Sequence, residues 1–284
     1  MRYPGGKKKL RHIIVDRILR GFDGKILEYR EPFVGAGAIG LPVISSPAVR
    51  IAWLNDFDPG IVCLWDAINN QPEALKDLVQ RFTPSIETFY HFKAMLLSGE
   101  PGEDPVKYGF AKLAIHQTSF SGLGTKSGGP LGGREQKSKY KIDCRWNASL
   151  LCKRIDQIHT LFVMKNVRCT CRDFSEVIAA AGPCLLYLDP PYYQKGGELY
   201  QHSFAPSQHS LLANCLRKTD QPWLLSYDDA PEVRELYDFA RIVSFPVTYT
   251  INTSRSKPEL LIAPRNYAHL LDGLPETSAA MTAA

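Results

Sequence analysis

The chain has 284 residues and a formal net charge of +5, and its composition, 44% hydrophobic and 22% charged, is typical of a globular protein with a buried core. No apolar run reaches the roughly 18–20 residues that span a bilayer, and no signal-peptide pattern opens the sequence, so we expect a cytoplasmic protein without a membrane segment. The seven cysteines are scattered and contain no C-x-x-C pair, which argues against a zinc site and against a disulfide framework.

Two strand–turn–helix units are predicted near the start of the chain. The first has a strand near Ile26–Tyr29, the glycine turn GAGAIG at Gly35–Gly40, and then a helix. The second has a strand at Arg50–Leu54, the acids Asp56 and Asp58, and then another helix. Strands that alternate with helices predict a parallel sheet covered by helices.

The glycine turn fits the pattern G-x-G-x-x-G. Glycines at this spacing allow a tight turn and a close approach of the backbone to a ligand at a helix N-terminus. Asp56 ends the second strand, about twenty residues later, where an acid can bind ribose hydroxyls. Both a nicotinamide dinucleotide and S-adenosylmethionine satisfy this arrangement, and a purely structural turn is the third interpretation. The spacing of Asp56 favours a cofactor that carries adenosine.

Residues 60–115 follow with a helical pattern that no strand interrupts, broken at Pro72 and Pro84. A glycine-rich loop comes next, and basic residues outnumber acidic ones from Lys126 to Arg154. A basic run is usually a solvated face, so on its own it is weak support for nucleic-acid binding. Isolated histidines in this region, such as His116, are interpreted as structural.

Strand patterns return in the second half of the chain, at Val167–Cys171, Cys184–Leu188 and Trp223–Tyr227. The segments ARIVSFPVTYTI and ELLIAP then predict a hairpin whose polar tip is NTSRSKP. The residues after Asp272 are small and polar, and we expect a frayed tail.

The segment CLLYLDPPYY, residues 184–193, combines an apolar strand with an acid, two prolines and two tyrosines. In an open α/β sheet, ligands bind at the carboxyl ends of the strands. The Asp189 carboxylate and the Pro190 carbonyl can accept both hydrogens of an exocyclic amine, which frees the nitrogen lone pair for attack. Tyr192 can stack on a flipped or single-stranded base. Tyr193, Tyr200 and Phe204 flank the next turn, where a lid over that base would lie.

Three motifs together resemble the DNA adenine-N6 methyltransferases, and among them the alpha-ordered group that contains the bacterial Dam enzymes. They are YPGGK at Tyr3–Lys7, EPFVGAG at Glu31–Gly37 and DPPY at Asp189–Tyr192. LNDFD at Leu54–Asp58 and CRDF at Cys171–Phe174 match further segments of that family. The order of these motifs holds from about residue 2 to residue 266. The glycine-rich recognition loop does not copy the loop of the Dam enzymes that read GATC, so the target sequence stays open.

The resemblance implies a role for each matching residue. Tyr3, Lys7, Phe33, Gly35, Gly37, Asp56, Asp173, Phe174 and Asp189 would form the S-adenosylmethionine site, with Asp56 at the ribose and Asp173 with Phe174 at the adenine. Asp189, Pro190, Pro191 and Tyr192 would hold the target base. Lys126, Arg134, Lys137 and Lys139 in the loop, and Arg255 and Lys257 in the late hairpin, would contact DNA.

The resemblance also implies an α/β fold, with a Rossmann-like, seven-stranded, mostly parallel sheet and an inserted, mainly helical target-recognition domain. We assign residues 1–59 and 149–272 to the catalytic domain, 60–148 to the recognition domain and 273–284 to a flexible tail. The expected partner is double-stranded DNA, the expected product is S-adenosylhomocysteine, and no metal is needed because the sulfonium is already an activated leaving group. We expect a monomer from a bacterium or phage, and a companion restriction endonuclease acting on the same site is compatible with the family.

Other functions keep part of these features. A cytosine-N4 or RNA adenine-N6 methyltransferase would use the same cofactor site. A nicotinamide-dependent oxidoreductase would explain GAGAIG but leave DPPY and YPGGK without a role. A non-catalytic DNA-binding module would keep the basic loop, although it would have no need for Lys7 and Asp189.

Overall fold

The computed structural model describes residues 10–22, 28–193, 204–249 and 255–274, with the side chains of 246–249 and 255–257 left out. Within these ranges, seven strands form one sheet in the order β3-β2-β1-β4-β5-β7-β6. The strands are β1 (Glu28–Glu31), β2 (Ile51–Asn55), β3 (Val167–Thr170), β4 (Cys184–Leu188), β5 (Trp223–Asp228), β6 (Ala240–Tyr249) and β7 (Arg255–Pro264). The sheet confirms the predicted Rossmann-like α/β fold.

The first five strands of that order are parallel, as in a doubly wound sheet. Strand β7 runs antiparallel to both β5 and β6, which makes the sheet mostly parallel, as predicted. The carboxyl ends of the parallel strands therefore lie at one edge of the sheet, together with the end of β6 and the start of β7. We call this edge the carboxyl edge.

Ten α-helices are found in the described residues. They are α1 (Arg11–Phe22), α2 (Gly40–Ile44), α3 (Pro59–Asn70), α4 (Pro72–Arg81), α5 (Ile86–Leu97), α6 (Pro105–Thr118), α7 (Ala148–Met164), α8 (Phe174–Ala179), α9 (Pro206–Lys218) and α10 (Pro231–Leu236). Prolines occupy the first turn of several of these helices, where no backbone N–H is needed. Within the described residues, no helix is long and apolar enough to cross a membrane.

Alternating side chains of the central strand β4 pack against two hydrophobic cores. Leu185 and Tyr187 face the core that includes α1 and α3. Cys184, Leu186 and Leu188 face the core that includes α8, α9 and α10. All five residues are buried, which explains why the strand is apolar throughout.

Helices α3 to α7 lie between β2 and β3 in the chain, where the sequence predicts an insertion. Their core continues without a break into the core under the sheet. Helix α3 also contacts the sheet directly, since Asn69 Nδ2 donates to the carbonyl of Val167 at 3.0 Å. The boundaries of the recognition domain at residues 60 and 148 therefore stay a prediction. Helix α1 was not predicted, and the helix after the glycine turn, α2, has only five residues.

Candidate active site and DNA-facing loop

The glycine turn and Asp56 meet at the carboxyl edge. The backbone N–H of Gly35 donates to Asp56 Oδ2 at 2.8 Å, and the N–H of Asp58 donates to Asp56 Oδ1 at 2.9 Å. Gly35 and Gly37 have φ angles of +48° and +67°, which residues other than glycine rarely adopt. Trp65 Nε1 donates to the carbonyl of Gly35 at 2.9 Å and so fixes the turn from below. The glycine turn and the acid predicted to bind the ribose are thus joined directly.

The environment of Asp56 makes its carboxylate unusually easy to protonate. Burial raises the pKa of Asp56, the nearby charge of Asp58 acts in the same direction, and the resulting pKa is about 6. The backbone hydrogen bonds from Asp58 and Gly35, and the charge of Lys112, act in the opposite direction. The N–H groups of Gly35 and Asp58 use one lone pair on each carboxylate oxygen, and the remaining lone pairs can accept further hydrogen bonds.

Asn55 holds the ends of three neighbouring strands together. Its Nδ2 donates to the carbonyls of Pro32 at 3.1 Å and Arg172 at 3.0 Å. Its Oδ1 accepts from Thr170 Oγ1 at 2.7 Å and from the N–H of Arg172 at 2.9 Å. The side chain is buried and makes four hydrogen bonds, so it fixes the floor of the site between the glycine turn and the segment after β3.

Glu31 is a second acid of the site that the sequence analysis did not single out. It is buried at the end of β1, where Tyr29 donates its hydroxyl to Glu31 Oε2 at 2.9 Å. Burial raises the pKa of Glu31 well above its usual range, the Tyr29 hydrogen bond opposes this shift, and the charges of Asp189 and Asp56 add to it. A side chain at Gly40 would collide with Glu31, because an added Cβ would lie 2.2 Å from Oε2.

Asp189 follows β4 at the same edge and is partly exposed. Ser226 Oγ lies 3.1 Å from Asp189 Oδ1 and donates to it, and the buried Tyr187 hydroxyl lies 2.9 Å from the same Ser226 oxygen. Pro190 is buried, whereas Pro191 and Tyr192 are partly exposed. The acid is therefore held by a neighbouring strand at a point that solvent can reach.

Tyr192 is anchored to the antiparallel strand of the sheet. Its hydroxyl donates to Glu259 Oε1 on β7 at 2.9 Å, and the N–H of Tyr193 donates to Asp228 Oδ1 on β5 at 2.9 Å. Glu259 pairs with Asp228 across β7 and β5. Both tyrosines are thus tied to adjacent strands, which sets the direction in which DPPY leaves the sheet.

Three phenylalanines form an aromatic cluster beside the glycine turn. The ring centroids of Phe33, Phe174 and Phe204 lie 5.4–5.7 Å from one another. Phe33 and Phe174 were predicted as cofactor contacts, and Phe204 was predicted as part of a lid. Asp173 caps α8, because its Oδ1 accepts from the N–H of Ser175 at 2.9 Å. One oxygen of this predicted adenine ligand therefore has a structural role.

The glycine-rich loop starts at the carboxyl edge. Helix α6 runs antiparallel to α3, because Gly109 lies beside Cys63 whereas Lys112 contacts Asp58, the N-cap of α3. The end of α6 therefore points toward the edge that carries Asp56 and Asp189. The four basic residues predicted to contact DNA, Lys126, Arg134, Lys137 and Lys139, are all exposed on the segment between α6 and α7.

Phe120 lies at the start of this loop with 61% of its surface exposed. Ser121 and Gly122 follow with φ angles of +54° and +71°. The Arg134 guanidinium lies 5.8 Å from the centroid of the half-exposed Tyr90 ring. Exposed aromatic and basic side chains side by side are typical of surfaces that bind nucleic acid.

The model of the D12 class N6 adenine-specific DNA methyltransferase family matches residues 3–251. The chain belongs to this family. The match confirms the resemblance that the three motifs indicate, and with it the activity of a DNA adenine-N6 methyltransferase. No curated protein is similar enough to match the chain.

The predicted site of this methyltransferase falls only partly within the described residues. Tyr3, Lys7 and Tyr200 lie outside them. Arg255 and Lys257 lie on β7, at the end of the strand that meets the carboxyl edge, and their side chains are not described. The cofactor, base and DNA roles of all these residues stay predictions.

Sequence analysis of the methyltransferase missed several site residues besides Glu31 and Asn55. Phe57 follows Asp56 with 56% of its surface exposed, an unusual position for a large apolar side chain. Ser226 became visible only through its contact with Asp189, 37 residues earlier in the chain. In the sequence, Phe57 could have been noticed as an aromatic residue directly after Asp56, the acid predicted to bind the ribose.

Proposed function

We propose that this methyltransferase transfers the methyl group of S-adenosylmethionine to adenine N6 at a specific site in duplex DNA, and that it flips the target base out of the helix. The observation that carries the proposal is the placement of Asp56 and Asp189. They follow β2 and β4, the two strands on either side of β1, at the edge where such sheets bind ligands. The family match supplies the reaction class.

The residues around Asp56 fit the chemistry of an adenosine-bearing sulfonium. Asp56 would accept the ribose hydroxyls, and the Phe33 and Phe174 rings would pack on the adenine. The glycine turn has no room for a side chain at Gly37, since a Cβ there would lie 3.1 Å from both Leu41 and Trp65. Bound S-adenosylmethionine would supply an activated methyl group, so the protein has to orient the acceptor and exclude water.

Asp189 and Pro190 would bind the two hydrogens of the adenine amino group. The amine is a poor nucleophile while its lone pair is delocalised into the ring. Two acceptors on one side of the nitrogen favour a tetrahedral geometry, which returns the lone pair to the nitrogen. Asp189 need not be a strong base, because the proton can leave after the methyl group has been transferred.

Base flipping follows from the position of the target atom. The amino group of a stacked adenine cannot reach a carboxylate at the end of a strand, so the base has to leave the helix. Tyr192, whose hydroxyl is anchored to Glu259, would stack on the extruded base. The exposed lysines and arginine of the loop would bind phosphates, which position the enzyme, while only contacts to base edges select the site.

The test is a radiolabel assay with S-adenosylmethionine on unmethylated bacterial DNA, followed by digestion to nucleosides. We expect label in N6-methyldeoxyadenosine for the wild type and none for Asp189→Ala, with an unchanged unfolding temperature. Asp220→Ala, an exposed acid just before β5, is the matched control and should keep full activity. Label in cytosine, or only on RNA, would replace the proposed substrate, and near-normal turnover of Asp189→Ala would refute its role.

A further inference from the structure

Lys112 is a buried cation in the middle of α6, where only 3% of its surface is exposed. Its Nζ forms an ion pair with Asp58 Oδ2 at 2.5 Å. The lysine side chain passes close to Gly60, where an added Cβ would lie 3.0 Å from Lys112 Cδ. A buried charge is costly unless it is paired, so breaking this ion pair would leave an uncompensated charge inside the protein. It joins two residues 54 positions apart in the sequence.

Asp58 links Lys112 to Asp56. Its Oδ1 accepts from the N–H groups of Gly60 at 2.8 Å and Ile61 at 3.2 Å, which caps α3. Its own N–H donates to Asp56 Oδ1. The side chain of Asp58 is thus fixed by α3 on one oxygen and by Lys112 on the other, and its backbone holds the carboxylate assigned to the ribose.

Helix α6 is fixed against α3 close to this contact. It continues into the glycine-rich segment between α6 and α7, the loop proposed to face DNA and called here the DNA-facing loop. A Cβ at Gly109 would lie 2.6 Å from backbone atoms of Cys63 and Leu64, so the two helices are in backbone contact. One turn after Lys112, the buried His116 has its Nδ1 3.0 Å from the carbonyl of Gly122. Because a carbonyl only accepts, Nδ1 carries the proton and donates.

We propose that Lys112 is a positioning residue of the cofactor site: through Asp58 it holds the Asp56 carboxylate in the orientation that binds the ribose, from the same helix that anchors the DNA-facing loop. The inference rests on the proposed use of S-adenosylmethionine. It adds a residue that lies outside all of the quoted motifs.

The experiment is calorimetric titration of the full-length protein with S-adenosylmethionine, well below its unfolding temperature. Lys112→Met replaces the apolar stem of the lysine by an unbranched side chain that is one atom shorter, and it removes the charge. We expect its dissociation constant to rise about tenfold or more, the effect of losing a well-oriented hydrogen bond to a charged group. Lys107→Met, the same substitution at an exposed position of α6, is the control and should bind like the wild type.

A second variant separates positioning from general damage to the fold. Asp58→Asn can still cap α3 but cannot form the ion pair, and it should weaken cofactor binding like Lys112→Met. Because both changes break the same link, the double variant should bind no more weakly than the worse single variant. If Lys112→Met fails to fold, the cofactor affinity of Asp58→Asn alone still tests the inference.

The outcomes distinguish the inference from the proposed function. A wild type that does not bind S-adenosylmethionine would refute the proposed function. A wild type that binds it, with Lys112→Met or Asp58→Asn within about twofold of its affinity, would refute the inference alone, whatever happens to the unfolding temperature. Effects that add in the double variant would also refute it.

Discussion

The proposed ribose contact and the stability of the fold make opposite demands on the protonation of Asp56. As the proposed ligand for ribose hydroxyls, Asp56 would have to be a carboxylate. In the folded protein, desolvation and the nearby charge of Asp58 oppose its ionisation and raise its pKa to about 6. The folded state therefore binds this proton at a higher pH than the unfolded chain does. In the free protein, Asp56 contributes stability as the pH falls below about 6, and it costs stability at neutral pH.

We predict that S-adenosylhomocysteine binds progressively more weakly as the pH falls below about 6, because protonation removes an acceptor for the ribose. Titrations between pH 5 and pH 8 would show the change. Asp56→Asn should bind weakly at every pH and should lack the inflection near pH 6. A wild-type affinity that is flat across this range would contradict the ribose role of Asp56.

At the scale of elements, the contact between α3 and α6 determines how the inserted helices join the sheet. Every residue of α6 from Tyr108 to Thr118 is buried, so this part of the helix has no solvent-exposed face that could absorb a shift. An added methyl group at Gly109 would meet the backbone of α3, which cannot rotate away as a side chain can.

We predict that Gly109→Ala lowers the free energy of unfolding by about 1–3 kcal/mol, the usual cost of overpacking. Denaturant unfolding would measure it. Gly128→Ala is the matched control, because among the described residues nothing lies within 4 Å of a Cβ at that position. An unchanged midpoint for Gly109→Ala would mean that the two helices are less closely packed than the structure indicates.

Strands were the most predictable elements, because a buried strand such as Cys184–Leu188 is apolar throughout and ends at a proline pair. The sequence also placed Asp56 and Asp189 at strand ends, where topology brings them together. It did not predict Ser226 beside Asp189, or Lys112 beside Asp58, because pairs so far apart in the chain leave no local pattern. Glu31 was visible only as a letter of a motif, since its burial depends on Tyr29 and Gly40.

For the whole molecule, the net charge of +5 matters less than where the charges lie. The exposed lysine and arginine side chains of the segment between α6 and α7 would bind DNA phosphates, and counterions of the DNA would be released. Lys218 lies at the opposite edge of the sheet, shortly before β5 begins. The basic residues of the segment should therefore contribute more than Lys218 to the salt dependence of DNA binding.

We predict that replacing both Lys137 and Lys139 by alanine weakens binding to all DNA sequences and lowers the slope of log K against log salt by about 1 for each residue. Lys218→Ala should leave the slope unchanged. Binding of labelled duplexes at several salt concentrations would measure both. A slope that drops only for Lys218→Ala would place the DNA on another face of the enzyme.

The segment between α6 and α7, which we propose faces DNA, is held by a few contacts within the fold. Gly124 packs against the His116 ring, and Gly132 lies under the carbonyl of Tyr140. Gln136 donates to the carbonyl of Leu131 and accepts from the N–H of Ile142, which closes the second half of the loop. A mutant library that seeks a new target sequence should keep these fixed points and the basic residues proposed to bind phosphates, and should randomise positions 128, 129, 135 and 138, where there is room for other side chains.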